Sequence, residues 1–286
     1  MRRIFNSDEL ETKFRQYGFV CVQLFTPDEF TDIKNFYANE YHNELHGFHS
    51  SLHLKNEEIK AKTYEYLNAT LGQKVNDLLF DYRLVTASFV VKEPGNNSEV
   101  IAHQDWSLVD ERKYVFLNAW TPLEDLTKEN GVIQLIPGTH KLPITYRGTG
   151  IEDPLKQLRD QSGTFLKRLL QPFFLKKGQV LIYDARIIHQ SPANVSQTRR
   201  IACALGFIPQ DAQLIHYSYN RDKNRILKLT VKDIFFVKYS VYSQIIPQEV
   251  ILEEQIDHSI MCKILDRKDI LRTQPVLERI RRSIGL

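Results

Sequence analysis

Between residues 84 and 208 the chain is written in short strands. Apolar runs of strand length occur at 84–92, 100–104, 114–120, 132–136, 179–183 and 200–208. Turn chemistry separates them: Glu93-Pro94-Gly95-Asn96-Asn97-Ser98 follows the first, and Asn130-Gly131 and Lys176-Lys177-Gly178 precede two of the others. No helices alternate with these runs, and that argues for a β-sandwich or barrel. The 16 Phe and 13 Tyr residues suit a β-rich core better than a helical bundle. Residues 141–171 interrupt the pattern and read as a loop with one or two short helices, a candidate lid.

The flanks read differently. Ser7 is placed to cap a helix through Leu10, Phe14 and Tyr17 that stops near Gly18, and a short strand at 19–25 follows. Thr26-Pro27-Asp28-Glu29 signals a second helix, with Thr26 as cap and Pro27 in the first turn, continuing through Phe30, Ile33, Phe36 and Tyr37. A third helical stretch is expected over 57–79. Beyond Pro209 the chain returns to mixed helical and apolar character and ends in the basic stretch Leu277-Glu278-Arg279-Ile280-Arg281-Arg282, read as a solvated helix face. A length of 286 residues accommodates one large domain. The expectation is a helical part over 1–83, a β core over 84–209 carrying the 141–171 insertion, and an extension over 210–286.

Charge excludes one class of partner. A net charge of +3 on 38 basic and 35 acidic residues gives no concentrated basic face for nucleic acid. Cys21, Cys203 and Cys262 are scattered and odd in number, which speaks against a disulfide framework or a cysteine zinc site and for a reducing compartment. The N-terminus turns polar at once, and no apolar run has the length to cross a bilayer. A soluble cytoplasmic protein is expected.

The chemistry centres on His103-Gln104-Asp105, at the end of a predicted strand. Residues i and i+2 of an extended chain point to one face, so His103 and Asp105 can reach one metal ion together. A second histidine, His189, lies just after the 179–183 strand. Two imidazoles and a carboxylate on one face of an octahedral iron leave three positions open, the facial triad of non-haem Fe(II) oxygenases. The tripeptide alone is a weak signal, because the chain has nine histidines and His42-Asn43-Glu44 matches the same pattern within a helical stretch. The segment after His189 strengthens it. A turn-rich stretch, Gln190 to Arg199, leads into a strand opening on the cation Arg200. A co-substrate that chelates iron through a 2-oxo acid needs its far carboxylate held, which a guanidinium does with two hydrogen bonds and a hydroxyl such as Ser191 can support.

These residues fall within a wider likeness. His103-Gln104-Asp105-Trp106, then Asn118-Ala119-Trp120-Thr121-Pro122-Leu123-Glu124-Asp125, Glu129-Asn130-Gly131, Leu135-Ile136-Pro137-Gly138-Thr139-His140-Lys141 and Lys177-Gly178-Gln179-Val180-Leu181-Ile182-Tyr183-Asp184 through His189 to Arg200 occur in order. Together with Tyr17-Gly18-Phe19-Val20 they resemble the phytanoyl-CoA dioxygenase family of 2-oxoglutarate oxygenases over about residues 10–208. The family's usual Gly-Asp before the last part of the core is Gly178-Gln179 here, and the chain from about Gln210 onward matches nothing recognisable.

The resemblance implies a mainly β protein with flanking helices, a double-stranded β-helix (jelly roll, cupin-like) with iron at its open end. It implies Fe(II) on His103, Asp105 and His189, with 2-oxoglutarate as co-substrate and O2 in the last position. It selects Arg200, eleven residues after His189, over Arg199 for the far carboxylate, with Ser191 beside it and Trp120 as a wall of that pocket. The implied reaction releases succinate and carbon dioxide and hydroxylates, or by the same oxidant desaturates, a small-molecule or acyl substrate. Asp105 keeps the carboxylate that related halogenases replace with a small residue, which favours hydroxylation. Two alternatives stand beside this reading: a barrel that has lost turnover, and a metal enzyme that does not use 2-oxoglutarate. Substrate contacts are expected from 141–171, 42–56 and the tail. The face His42, His46, His49 and His53 lacks a completing carboxylate and is not expected to form a second metal site, and His140 is expected to pack in its turn.

Overall fold

The structure, a computed structural model, describes residues 2–41, 46–239, 250–257 and 264–273. Its centre is eight strands: β3 (Tyr82–Lys92), β4 (Val100–His103), β5 (Leu117–Pro122), β6 (Ile133–Ile136), β7 (Gln171–Phe173), β8 (Gln179–Asp184), β9 (Ile188–Ser191) and β10 (Arg200–Pro209). They pair from the outside in, all antiparallel: β3 with β10, β4 with β9, β5 with β8 and β6 with β7. Two sheets result. One has the order β1-β8-β5-β10-β3-β2, with β1 (Phe19–Gln23) and β2 (Phe48–Ser50) added at its edges, and the other is β4-β9-β6-β7. This nested pairing across two sheets is the expected jelly roll.

Alternation along each strand explains why the sheets face each other. Val180 and Ile182 of β8 pack outward with Phe14, Phe30 and Ile33, whereas Leu181 and Tyr183 pack inward with Ile133 and Leu135 of the smaller sheet. On β10, Cys203 and Leu205 face outward while Ala202 and Ala204 face inward. The small inward residues leave room between the sheets, and a cavity of about 470 Å³ opens there.

The outer face of the large sheet is covered by α1 (Asp8–Tyr17), α2 (Glu29–Glu40), α3 (Glu57–Leu67) and α4 (Gln73–Asn76), which contribute Phe14, Phe30, Leu67 and Val75 to one core. Ser7 caps α1 as expected, and Gly18 ends it with φ +83°, its N–H donating to the Phe14 carbonyl at 2.7 Å. α2 starts later than expected: Asp28 stands at the N-cap without a side-chain bond, and Thr26 instead donates its N–H to the Glu29 carboxylate at 2.8 Å. The single helix expected over 57–79 is divided by a π-helical turn, Asn68–Gly72.

Three strands ahead of the tail have no counterpart in the sequence reading. β2 and β7 are three residues each. β9, which carries His189 and Ser191, has four. Conversely, residues 114–116 precede β5 rather than belonging to it. The tail is a clearer correction: against the expected mixed helical and apolar character, β11 (Ile215–Asn220), β12 (Arg225–Thr230) and β13 (Ile251–Asp257) form a separate antiparallel sheet, and among the described residues of the tail the helices are the short α6 (Phe235–Lys238) and α7 (Arg267–Leu271). Branched residues such as Ile226, Leu227 and Leu229, buried as β12, satisfy either periodicity over so short a run. The stretch 277–282, Cys262 and the match His42-Asn43-Glu44 lie outside the described residues.

The 141–171 insertion contains one helix, α5 (Lys156–Leu169). Leu142, Leu155, Leu158, Leu166 and Leu170 pack with Ala102, Ile136 and Ile188, on the side of the smaller sheet away from the large one, where Leu265 and Ile270 join them. Among the described residues, no helix is long and apolar enough to cross a membrane.

Candidate metal centre and its cavity

The pairing of β4 with β9 sets His103 directly opposite His189. Directly opposed residues of an antiparallel pair project from the same face, so the two imidazoles lie side by side with ring centroids 4.2 Å apart. Asp105, two residues beyond His103, returns to that face. One donor atom from each of His103, Asp105 and His189 lies within 4.8 Å of the others, the one such group among the described residues. Asp105 Oδ1 is 3.5 Å from His103 Nε2 and 3.7 Å from His189 Nε2.

Hydrogen bonds fix which nitrogen is offered. His103 Nδ1 lies 2.8 Å from the Ile101 carbonyl, and His189 Nδ1 lies 3.0 Å from the Ile187 carbonyl. A carbonyl only accepts, so each Nδ1 carries the hydrogen and each Nε2 turns its lone pair to the shared space. Burial would raise the Asp105 carboxyl, but His189, His103 and the Asn118 amide overcome it and hold the group at about 2. Burial pushes His189 down to about 4 against the pull of Asp105. At His103 burial is outweighed by the hydrogen bond and attraction to Asp105, and the shift is upward.

The far oxygen of Asp105 is also held. Asn118 Nδ2 donates to Asp105 Oδ2 at 2.6 Å, and the Tyr183 hydroxyl bonds the same carboxylate. Asn118 and Tyr183 are cross-strand partners on β5 and β8, so one rung of the large sheet aims two donors at one ligand. Sequence reasoning placed both residues in motifs without giving them this role. The available signal was a lone amide inside the apolar run Val115-Phe116-Leu117-Asn118-Ala119-Trp120.

The same cavity runs on to Arg200, which is 2% exposed and has no hydrogen-bond partner at Nε or Nη1. Its guanidinium lies over the Trp120 ring, 5.2 Å from the centroid. Burial lowers its pKa to about 10, so it remains a cation at neutral pH. A buried cation with unused donors is costly unless an anion completes it. Arg199 turns away from the cavity and pairs with Glu93 at 2.6 Å. Ser191, two residues past His189 on β9, is buried and lines the cavity.

Lys92, opposite Arg200 on β3 and fully buried, escaped the sequence reading. Its ammonium donates to the carbonyls of Ser98, Ser191 at 3.2 Å and Pro192 at 2.8 Å, which anchors the turn after Ser191. Burial, and then the neighbouring Arg200, push it down to about 7. Of the pair Lys92 and Arg200, it is Arg200 that keeps donors in reserve.

The rest of the cavity wall mixes the apolar Phe48, Leu52, Trp106, Leu108, Phe116 and Phe236 with the polar Ser50, His53, Thr86, Ser88, Asp153 and Gln190. Of the segments expected to reach substrate, 48–53 and Phe236 of α6 do line this wall, and Asp153 is the one contributor from the insertion. His49 and His53 are half-buried, and the loss of solvent pushes each down to about 4. His140 packs against Phe14 as expected.

A family model for phytanoyl-CoA dioxygenase (PhyH) matches residues 14–202, about two thirds of the chain. The chain belongs to the phytanoyl-CoA dioxygenase family. That family's cofactor set, Fe(II), 2-oxoglutarate and O2, is the one the motifs imply. Phytanoyl-CoA dioxygenase 1 of Oryza sativa subsp. japonica is 30% identical over 145 residues, covering 49% of this chain and 51% of the rice protein. A phytanoyl-CoA dioxygenase domain-containing protein 1 of Danio rerio is 30% identical over 121 residues, covering 41% and 42% of the two chains. The chain thus spans about half the length of the curated relatives it matches.

Solved structures show the same fold at low identity. EvdO2 of Micromonospora carbonacea var. aurantiaca superposes with a TM-score of 0.55 at 18% identity, covering 73% of this chain and 94% of that one. The 2-oxoglutarate-dependent carbocyclase SnoK of nogalamycin biosynthesis gives 0.53 at 19% identity, covering 73% and 86%. HygX of Streptomyces hygroscopicus, crystallised with nickel and 2-oxoglutarate, gives 0.52 at 17% identity, covering 72% and 88%.

Proposed function

We propose that this protein is a Fe(II)- and 2-oxoglutarate-dependent oxygenase that hydroxylates a small-molecule or acyl substrate. The reading rests on one observation above the others. A single cavity contains a two-histidine, one-carboxylate donor set and a buried guanidinium with two unpaired nitrogens. Family membership and the nickel and 2-oxoglutarate bound by HygX support it.

His103, Asp105 and His189 would hold iron, each through an atom whose partner group is already oriented. When bound, Fe(II) with 2-oxoglutarate and O2 supplies oxidising power toward a C–H bond, the co-substrate leaving as succinate and carbon dioxide. Arg200 would receive the far carboxylate through two N–H groups, Ser191 would add a hydroxyl, and Trp120 underlies the guanidinium. Asn118 holds Asp105 Oδ2, with Tyr183 bonded to the same carboxylate, while Oδ1 lies beside both histidine Nε2 atoms. The apolar wall excludes water and orients the bond to be oxidised. The Asp105 carboxylate stands where a halide would otherwise bind, which favours hydroxylation.

Arg200 disfavours a metal enzyme that does without the co-substrate, because Glu124 acts on it without a hydrogen bond to Nε or Nη1, and those buried donors would be left unused. An anaerobic titration with Fe(II) and 2-oxoglutarate, followed by visible absorption, tests the assignment without knowledge of the substrate. A charge-transfer band that requires both components is expected. Iron binding without a band would eliminate the co-substrate, and absence of iron binding would leave a barrel that has lost turnover.

A further inference from the structure

The strand that carries the H-x-D motif is an edge strand. In the order β4-β9-β6-β7, β4 has a neighbour on one side only among the described residues, and the ladder with β9 is irregular between Val100 and His103. An edge leaves main-chain groups without strand partners, and such a strand is poorly fixed unless something else bonds them. A metal site built there needs a substitute for the missing neighbour.

The 141–171 insertion supplies it through two arginines. Arg147 donates Nε–H to the carbonyl of Asp105 at 2.6 Å. Arg159 donates Nη1–H to the carbonyl of Ala102 at 2.7 Å. The two acceptors bracket His103 and Asp105. Arg147 is itself locked in place: its guanidinium meets Glu111 in a two-pronged pair, Nη2 to Oε1 at 2.5 Å and Nη1 to Oε2 at 3.1 Å, and Nη1 also donates to the Thr145 carbonyl at 2.8 Å. Both side chains of this pair are almost completely buried, at 4% and 3% exposed. Ser107 adds a main-chain bond, its N–H donating to the Arg147 carbonyl at 3.1 Å. Arg159 is pinned less firmly, by Asp153 at 2.8 Å, with 21% of its side chain exposed.

We propose that Arg147, oriented by Glu111, is a positioning residue for the metal ligand Asp105, with Arg159 playing the lesser part at the other side of His103. A buried ion pair is seldom the cheapest way to stabilise a fold, since apolar residues of similar volume serve as well or better. What apolar residues cannot do is donate to the Asp105 carbonyl. Arg147 closes the loop from Asp105 to Glu111 into a rigid ring and sets the angle from which the carboxylate leaves the backbone. The insertion thereby serves as a brace for the metal edge.

This rests on the reading of His103, Asp105 and His189 as an iron site, and the test separates the two. The full chain is prepared as the double variant Arg147→Met/Glu111→Leu, which removes the buried charges together, and as Arg159→Met. Apo-protein thermal midpoints are compared, and Fe(II) is titrated anaerobically by calorimetry and through the Fe(II)·2-oxoglutarate absorption band. The double variant is expected to melt near the wild type, bind Fe(II) on the order of 10-fold more weakly, and show a displaced band at saturating iron. Arg159→Met is expected to weaken iron binding by less. Unchanged iron affinity and band in the folded double variant overturn the proposal. If that variant does not fold, unchanged values in Arg159→Met together with Arg147→Lys overturn it instead. Wild-type protein that fails to bind Fe(II) refutes the iron-site reading itself.

Discussion

The two halves of the cavity come from different parts of the chain. The polar half, with His103, Asp105, Asn118, Trp120, Tyr183, His189 and Arg200, lies wholly within the segment matched by the phytanoyl-CoA dioxygenase family model. Every one of these residues belongs to a jelly-roll strand or stands immediately beyond one. The apolar half draws on Phe48 and Leu52 from the segment ahead of β3, Trp106 and Leu108 from the loop after β4, and Phe236 from α6, beyond the matched region. Rigid sheet rungs fix the groups whose angles matter to bond-making chemistry, and variable connections shape the space for the substrate. Under the proposed function, reaction class and substrate choice would fall to separable sets of residues.

That separation can be broken experimentally. Removing a donor is expected to have the largest effect: His103→Ala should abolish tight Fe(II) binding, read by anaerobic calorimetry, and with it the absorption band. If His103→Ala binds iron like the wild type, the polar half is wrongly assigned. Next in size, Arg200→Ala should weaken 2-oxoglutarate binding about 100-fold while Fe(II) affinity is retained, since a two-pronged charged hydrogen bond is lost. A variant with unaltered co-substrate affinity would detach Arg200 from that role.

A change in the apolar half sharpens the contrast. Leu52→Trp should narrow the substrate space and raise the KM for the substrate about 10-fold, leaving the Fe(II)·2-oxoglutarate band where it was. A moved band would mean the halves are coupled.

The smallest effect concerns the scaffold. Burial pushes His140 and His216 down to about 4 in the folded chain, against an ordinary value of 6.5. A depressed histidine binds its proton more readily when unfolded, so stability is fully present above about 6.5 and declines as pH falls toward about 4. Thermal midpoints of the apo-protein should follow that limb, and His140→Gln should flatten it modestly. A midpoint independent of pH over that window would contradict the sign.

Some of this was legible before any coordinates. Ser7 and Gly18 bound α1 because capping is local chemistry, readable from a few adjacent residues. The strands β3 and β10 were anticipated to within two residues because long apolar runs with turns at their ends have few alternatives. By contrast β9, four residues long, was hidden inside a turn-rich stretch, and β11 to β13 were read as mixed helical character. Short runs of branched residues do not declare their period, and their pairing partners decide it.

The sequence by itself determined the candidate donors. His103 and Asp105 follow from the two-residue repeat of an extended chain, and His189 and Arg200 from the order of motifs. Only the tertiary structure decided how these residues meet. The register of β4 on β9 sets one histidine against the other, and the rung between β5 and β8 sends Asn118 and Tyr183 to the carboxylate of Asp105. Arg147, forty-two residues from Asp105, reaches its carbonyl only because the insertion folds back onto an edge strand. Local chemistry is written in adjacent residues, whereas cross-strand register and long-range hydrogen bonds depend on the packing of all the strands at once.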